Sequence, residues 1–241
     1  MDRRIGVEEK KSMVKRPVAK MPAVVFKPLM PGDQVKILPG AEACWLDRES
    51  IDNLEKCFIN NALVLRTEIE TVYGTLNKKK MLDLGCGPAC LLEIFPDMEF
   101  YIGVDQSILA ISNAINRYPG KNFVYSRIEN YRNPNQFDVI TCIDVLQHLA
   151  SSPEQLLRQI LVLFDAKTFI FRALVNSLTE QFYYSLSTGH ASISYPLSYF
   201  ARLVKSVNEH TDCTAELKIL SMPKKNNAEG IYIVCKRKLL K

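Results

Sequence analysis

Four residues in the stretch "MLDLGCGPACLLEIFPDMEFYIGVDQS", which begins at Met81, have the types and spacing to grip a ligand: Asp83, Gly85, Gly87 and Asp105. The glycines follow an apolar run and precede a helical one, where missing side chains let the backbone turn sharply and approach a bound molecule. A dinucleotide site of the G-x-G-x-x-G type would place a third glycine at position 90, beside a pyrophosphate. Position 90 is Cys, and Asp83, two residues ahead of the first glycine, suits an amino acid's ammonium group better than a pyrophosphate. Asp105, 18 residues past Gly87, ends the next apolar run, where a carboxylate accepts hydrogen bonds from both ribose hydroxyls. The two anchors together fit an adenosine ligand that has no phosphates and carries an amino-acid tail.

A second group follows the run "FDVITCI": Asp144, Gln147 and His148. In an open α/β sheet the carboxyl ends of the strands face the ligand crevice, so these side chains are candidates for work on a substrate. His148 has the side chain best suited to general acid or base chemistry near neutral pH. Arg172, in "FIFRAL", could pair with an anionic substrate group, or could be a salt-bridged structural arginine. Cys86 and Cys90 are four residues apart, but no further ligands cluster beside them, and no metal site is expected.

The elements that must position these groups alternate. "KMLDLG", "FYIGVD", "NFVYS", "FDVITCI" and "KTFIFRAL" read as strands, with "CLLEIF", "SILAISNAINRY" and "SPEQLLRQILVLF" as the helices between them, the last opened by a serine cap and an early proline. That rhythm predicts an α/β fold: a doubly wound, mostly parallel seven-stranded sheet with helices on both faces. "PLSYFARLVKSVNEH" reads as a helix, and "AELKILSMPKKNNAEGIYIVCKRK" as an antiparallel hairpin that puts one antiparallel strand at the end of the sheet. Ahead of the sheet, Ile51, Leu54, Phe58, Ile59, Ala62, Leu63, Leu65, Ile69 and Val72 recur at helical spacing, predicting a helical cap over about 45–76. Residues 1–40 read as a basic, partly mobile arm with a short strand at Ala23–Lys27; residues 41–241 read as one domain, with a substrate-side insertion over about 174–208.

"MLDLGCGPA", "FYIGVDQS" and "FDVITCIDVLQHL" resemble the D/E-x-G-x-G-x-G loop, the second strand with its acidic end, and the fourth strand with its following helix in class I, Rossmann-like S-adenosylmethionine-dependent methyltransferases. The resemblance covers about residues 78–171, with the closing hairpin in the expected place. It departs at Ala89, which stands for the loop's third glycine. It departs again at Arg127, where an acidic residue usually approaches the adenine amino group.

The resemblance implies S-adenosyl-L-methionine as cofactor, held by Asp83, Gly85, Cys86, Gly87, Asp105, Gln106, Ile143 and His148, with adenine recognised by the backbone of Ile128 or the carboxylate of Glu129. It places Trp45, Arg172, Tyr183, Tyr184, His190 and Tyr195 on the substrate side, and Asp144, His148 and Arg172 as candidates for the chemistry.

The expected activity is methyl transfer to oxygen, nitrogen or carbon of a small or medium-sized metabolite. Two alternatives are an RNA or protein methyltransferase guided by the basic arm, and a non-catalytic cofactor-binding partner subunit. The tetrapeptide after the fourth strand reads "CIDV" and lacks the N/D-P-P-Y/F pattern of enzymes that methylate amino nitrogens of bases or glutamine. Residues 1–20 hold seven Lys or Arg against three acids, and the whole chain is only +5, so a nucleic-acid partner is permitted but not indicated. No apolar run reaches bilayer length, and seven scattered cysteines with no secretory signal ahead of them fit reduced thiols in a cytoplasmic protein.

Overall fold

A computed structural model of the chain describes residues 25–28, 56, 62–148, 152–176, 183–187, 190–220 and 228–238. Trp45, the basic segment 1–20 and the first half of the expected helical cap lie outside these residues. The chain opens with β1 (Val25–Pro28) and α1 (Ala62–Val72), then runs β2 (Lys80–Leu84), α2 (Cys90–Ile94), β3 (Phe100–Asp105), α3 (Ile108–Arg117) and β4 (Asn122–Tyr125). It continues through β5 (Gln136–Ile143), α4 (Pro153–Leu163), β6 (Asp165–Asn176), β7 (Tyr183–Ser187), β8 (His190–Pro196), α5 (Leu197–His210), β9 (Cys213–Leu220) and β10 (Ala228–Arg237).

Strands β4, β3, β2, β5 and β6 pair in that order and all run parallel. β10 joins β6 antiparallel and β9 joins β10 antiparallel, which completes the seven-stranded sheet. β9 therefore runs with the parallel strands, and the one antiparallel strand is β10, inside the edge rather than at it. The register explains this: β9 and β10 pair antiparallel, and β10 is the partner that meets β6 from Ala228↔Asn176 to Lys236↔Thr168.

Side-chain alternation makes the sheet two-sided. Phe169, Phe171, Ala173 and Val175 of β6 and Ile231, Ile233 and Cys235 of β10 pack with Leu156, Leu157, Ile160 and Leu161 of α4 and Phe200, Leu203 and Val207 of α5. The opposite parity, with Met81, Tyr101, Val139, Ile143, Ile170 and Tyr232, packs with Leu65, Ile69 and Val72 of α1 and with α2. Strands buried on both faces have no polar side to solvate, which is why they read as continuous apolar runs.

The segment after β6, read from the sequence as an insertion over about 174–208, contains two strands and a helix. β7 and β8 form an antiparallel hairpin, β1 adds to β7 over Val25↔Leu186 to Pro28↔Tyr183, and β8 joins β6 through Val175↔Tyr195 and Asn176↔Pro196. Ser and Thr mixed with aromatics suit strand pairing, but the absence of clean alternation hid it from periodicity. The three-strand extension starts at the carboxyl end of β6, and β8 lies against the Leu146–His148 turn.

Candidate active site

The loop between β2 and α2 is shaped by positive φ: Gly85 at 75°, Gly87 at 53° and Ala89 at 62°. Its start is fixed by Gly85 N–H and Cys86 N–H, which both donate to the carbonyl of Val104 at 2.8 and 3.1 Å. Asp105 closes the arrangement from β3. Its Oδ2 accepts the Gly87 N–H at 2.9 Å and its Oδ1 accepts the Ser107 N–H at 2.7 Å, while Ser107 caps α3 by accepting Ala110 N–H. A carboxylate has about four lone-pair positions. The amides of Gly87, Ser107 and Gln106 all lie on this carboxylate, which keeps acceptor capacity for a ribose hydroxyl.

Burial raises the Asp105 pKa, against the lowering effect of the amide bonds. Asp83 is deeper, 3% exposed, with Oδ2 accepting from the Tyr101 hydroxyl at 2.9 Å and Oδ1 from the Thr141 hydroxyl at 2.8 Å. Burial pushes its carboxyl up to about 6, with the charge of Asp105 adding to the rise and the two hydroxyls opposing it. Sequence reasoning missed both hydroxyl partners. Their signal is parity: Thr141 falls between Val139 and Ile143 on one face of β5 and stands opposite Asp83 of β2 in the register.

Cys86 is buried within the loop, its Sγ directed to the Gly87 carbonyl at 3.4 Å, and burial raises its pKa well above the ordinary value. Gln106 is exposed and Ile143 is buried at the end of β5. Ile128 turns its side chain into the core, and Glu129 pairs with Arg127 at 3.7 Å, so the residue that departs from the family pattern has an internal partner.

The turn after β5 holds Asp144 at φ 56°, and His148, half-buried, ends the 3₁₀ turn that follows. Two buried acceptors in this turn, Asp144 Oδ1 and Gln147 Oε1, have no hydrogen-bond donor among the described residues. Buried acceptors without donors are uncommon and point to a ligand or water. The anchors at β2 and β3 and these open acceptors at β5 fit a ligand with ribose hydroxyls and a cationic amino-acid tail.

Of the two roles open to Arg172 in the sequence, the structure shows the salt-bridged one. It is 5% exposed and donates through Nε to Glu68 Oε2 of α1 at 3.2 Å and through a terminal nitrogen to Asp144 Oδ2. Tyr232 donates to the same Glu68 oxygen at 2.7 Å and lies under the guanidinium. Burial works against the charge of Arg172, but Asp144, Tyr232 and Glu68 outweigh it and raise its pKa. Glu68 was legible as an acid on the buried stripe of α1 beside Leu65, Ile69 and Val72. Tyr195 is also internal, its ring tilted against that of Tyr199 with centroids 4.8 Å apart, and packed in the core with Phe200. Tyr183, Tyr184 and His190 are placed by the backbone of the β7–β8 hairpin.

Residues 82–166, which carry the loop, Asp105 and the turn after β5, match the family model described as a methyltransferase domain. These residues make up a methyltransferase domain. This domain is similar to the mitochondrial ubiquinone biosynthesis O-methyltransferase of Schizosaccharomyces pombe, 29% identical over 44% of the chain and 41% of that protein. It is also similar to the ubiquinone biosynthesis O-methyltransferase of Pseudoalteromonas translucida, 27% identical over 47% of the chain and 50% of that protein. The chain thus matches half or less of the length of these curated relatives. In fold, the methyltransferase domain is similar to the Burkholderia thailandensis 1,6-didemethyltoxoflavin-N1-methyltransferase solved with 1,6-didemethyltoxoflavin and S-adenosylhomocysteine, with TM-score 0.60 and 13% identity over 92% of this chain and 98% of that one. The plantazolicin methyltransferase BpumL with S-adenosylhomocysteine has TM-score 0.57 and 19% identity over 83% and 94%.

Proposed function

We propose that the chain transfers a methyl group from S-adenosylmethionine to a hydroxyl oxygen of a small or medium-sized organic acceptor. The observation that carries the cofactor half is Asp105 bridging the Gly87 and Ser107 amides with acceptor capacity to spare, above a glycine loop whose dihedrals leave the backbone bare. The acceptor half rests on kinship with curated O-methyltransferases and on the β7–β8 hairpin beside the turn that holds His148.

A sulfonium methyl group is already activated, so the protein's task is alignment and exclusion of water. The glycine loop and Asp105 fix the cofactor end. His148, at the mouth of β5, accepts the proton of the acceptor hydroxyl, as an imidazole is suited to do near neutral pH.

The test is calorimetric titration with S-adenosylmethionine for the native chain, Asp105→Ala and His148→Asn, with NADH as control, followed by tritium transfer to hydroxylated and amino acceptors. The reading expects micromolar binding that Asp105→Ala loses and His148→Asn keeps, and transfer to hydroxyls that His148→Asn slows about a hundredfold. Transfer to amines alone would overturn the acceptor class, and binding of NADH in its place would overturn the cofactor.

A further inference from the structure

We propose that Glu68, Arg172 and Asp144 make one wall of the cofactor cleft selective for charge, favouring the cationic methyl donor over the neutral thioether left after transfer, with Glu68 and Arg172 as positioning residues that act through Asp144. The inference rests on the cofactor reading above.

Three observations carry it. Arg172 bridges two carboxylates, Glu68 from α1 and Asp144 after β5, so the buried group has two acids for one base. Asp144 Oδ2 is committed to Arg172, while Oδ1 is buried without a donor among the described residues, as is Gln147 Oε1 three residues on. Finally, the Asp144–Val145 turn abuts the cofactor loop, since a Cβ on Gly85 would stand 2.3 Å from Val145 Cγ2. An excess acid whose open oxygen lies in a turn touching that loop is complementary to a cation. S-adenosylmethionine and S-adenosylhomocysteine share their ammonium, carboxylate, ribose and adenine, and differ by a methyl group and one positive charge.

Glu68 enters because Arg172 divides its charge. With Glu68 present, the guanidinium is shared and Asp144 is incompletely neutralised. With glutamine there, the Tyr232 and Arg172 bonds have an acceptor still, but the whole guanidinium charge falls to Asp144. The left-handed backbone of Asp144, uncommon for a residue with a Cβ, fits a side chain that is held for its direction.

The test is calorimetry of S-adenosylmethionine, its cationic isostere sinefungin, and S-adenosylhomocysteine against the native chain, Glu68→Gln and Asp144→Asn, with a melting curve for each. Both variants are expected to weaken the two cationic ligands about tenfold relative to S-adenosylhomocysteine. A purely structural role would weaken all three alike or lower only the melting temperature, and a ratio unchanged in folded Asp144→Asn overturns the proposal. Should Glu68→Gln fail to melt cooperatively, Asp144→Asn on its partly exposed turn decides alone. A native chain that binds none of the three defeats the cofactor reading and this inference with it; binding with an unmoved ratio defeats only the inference.

Discussion

The side chain of Val145 stands where a Cβ on Gly85 would have to go, its Cγ2 only 2.3 Å from that position. The turn after β5 and the loop after β2 therefore meet with no room for a side chain between them. That contact binds the two halves of the candidate site, the cofactor loop and the turn bearing Asp144, Gln147 and His148, into one piece.

Gly85→Ala should break it. The substitution meets both the clash and a φ of 75°, and overpacking plus a left-handed backbone together cost about 3 kcal/mol. Urea denaturation should show that loss, together with weakened S-adenosylmethionine binding; a variant as stable as the native chain would mean that Val145 steps aside.

Ala89→Gly should be nearly neutral despite restoring the family's third glycine. Relief of the left-handed strain at φ 62° gains about 1 kcal/mol. Loss of a methyl buried at 0% exposure costs about 0.8 kcal/mol, and the added chain entropy offsets the rest. Ala89→Val, bulky at the same dihedral, should destabilise by more than about 2 kcal/mol. Equal melting temperatures for the valine and glycine variants would refute this account.

Asp83 should make the chain less stable as pH rises. Its folded pKa is raised, chiefly by burial, from 3.8 to about 6. Between those values the folded chain keeps a proton that the unfolded chain has released, so stability falls with pH across the window and reaches a deficit of roughly 3 kcal/mol above it. Asp83→Asn should be more stable than the native chain at pH 8 and gain little at pH 4. Parallel pH profiles of melting temperature for the two proteins would sink the idea.

Much of this was legible beforehand because strand and helix periods are local properties. The five parallel strands, the helices between them and the glycine loop with Asp105 could be read in order, since burial on both faces demands continuous apolar runs and a close backbone approach demands glycine. The serine cap expected for α4 was only half right. Ser152 stands at the N-cap, but its hydroxyl lies 3.5 Å from that of Tyr199 and makes no capping bond. A side chain with two partners in reach is decided by packing.

By itself, then, the sequence determined the five parallel strands, the cofactor loop and the residue types at its rim. Tertiary structure alone decided what those residues face. Two roles were open to Arg172 on paper, and it is sealed between Glu68, 104 residues earlier, and Asp144, because a buried guanidinium requires acids that only the folded chain can bring to it. Asp83 likewise gained Thr141 from 58 residues away. Partners so distant in sequence leave no period to read; they are chosen by strand order, which places β2 beside β5 and β6 beside β10.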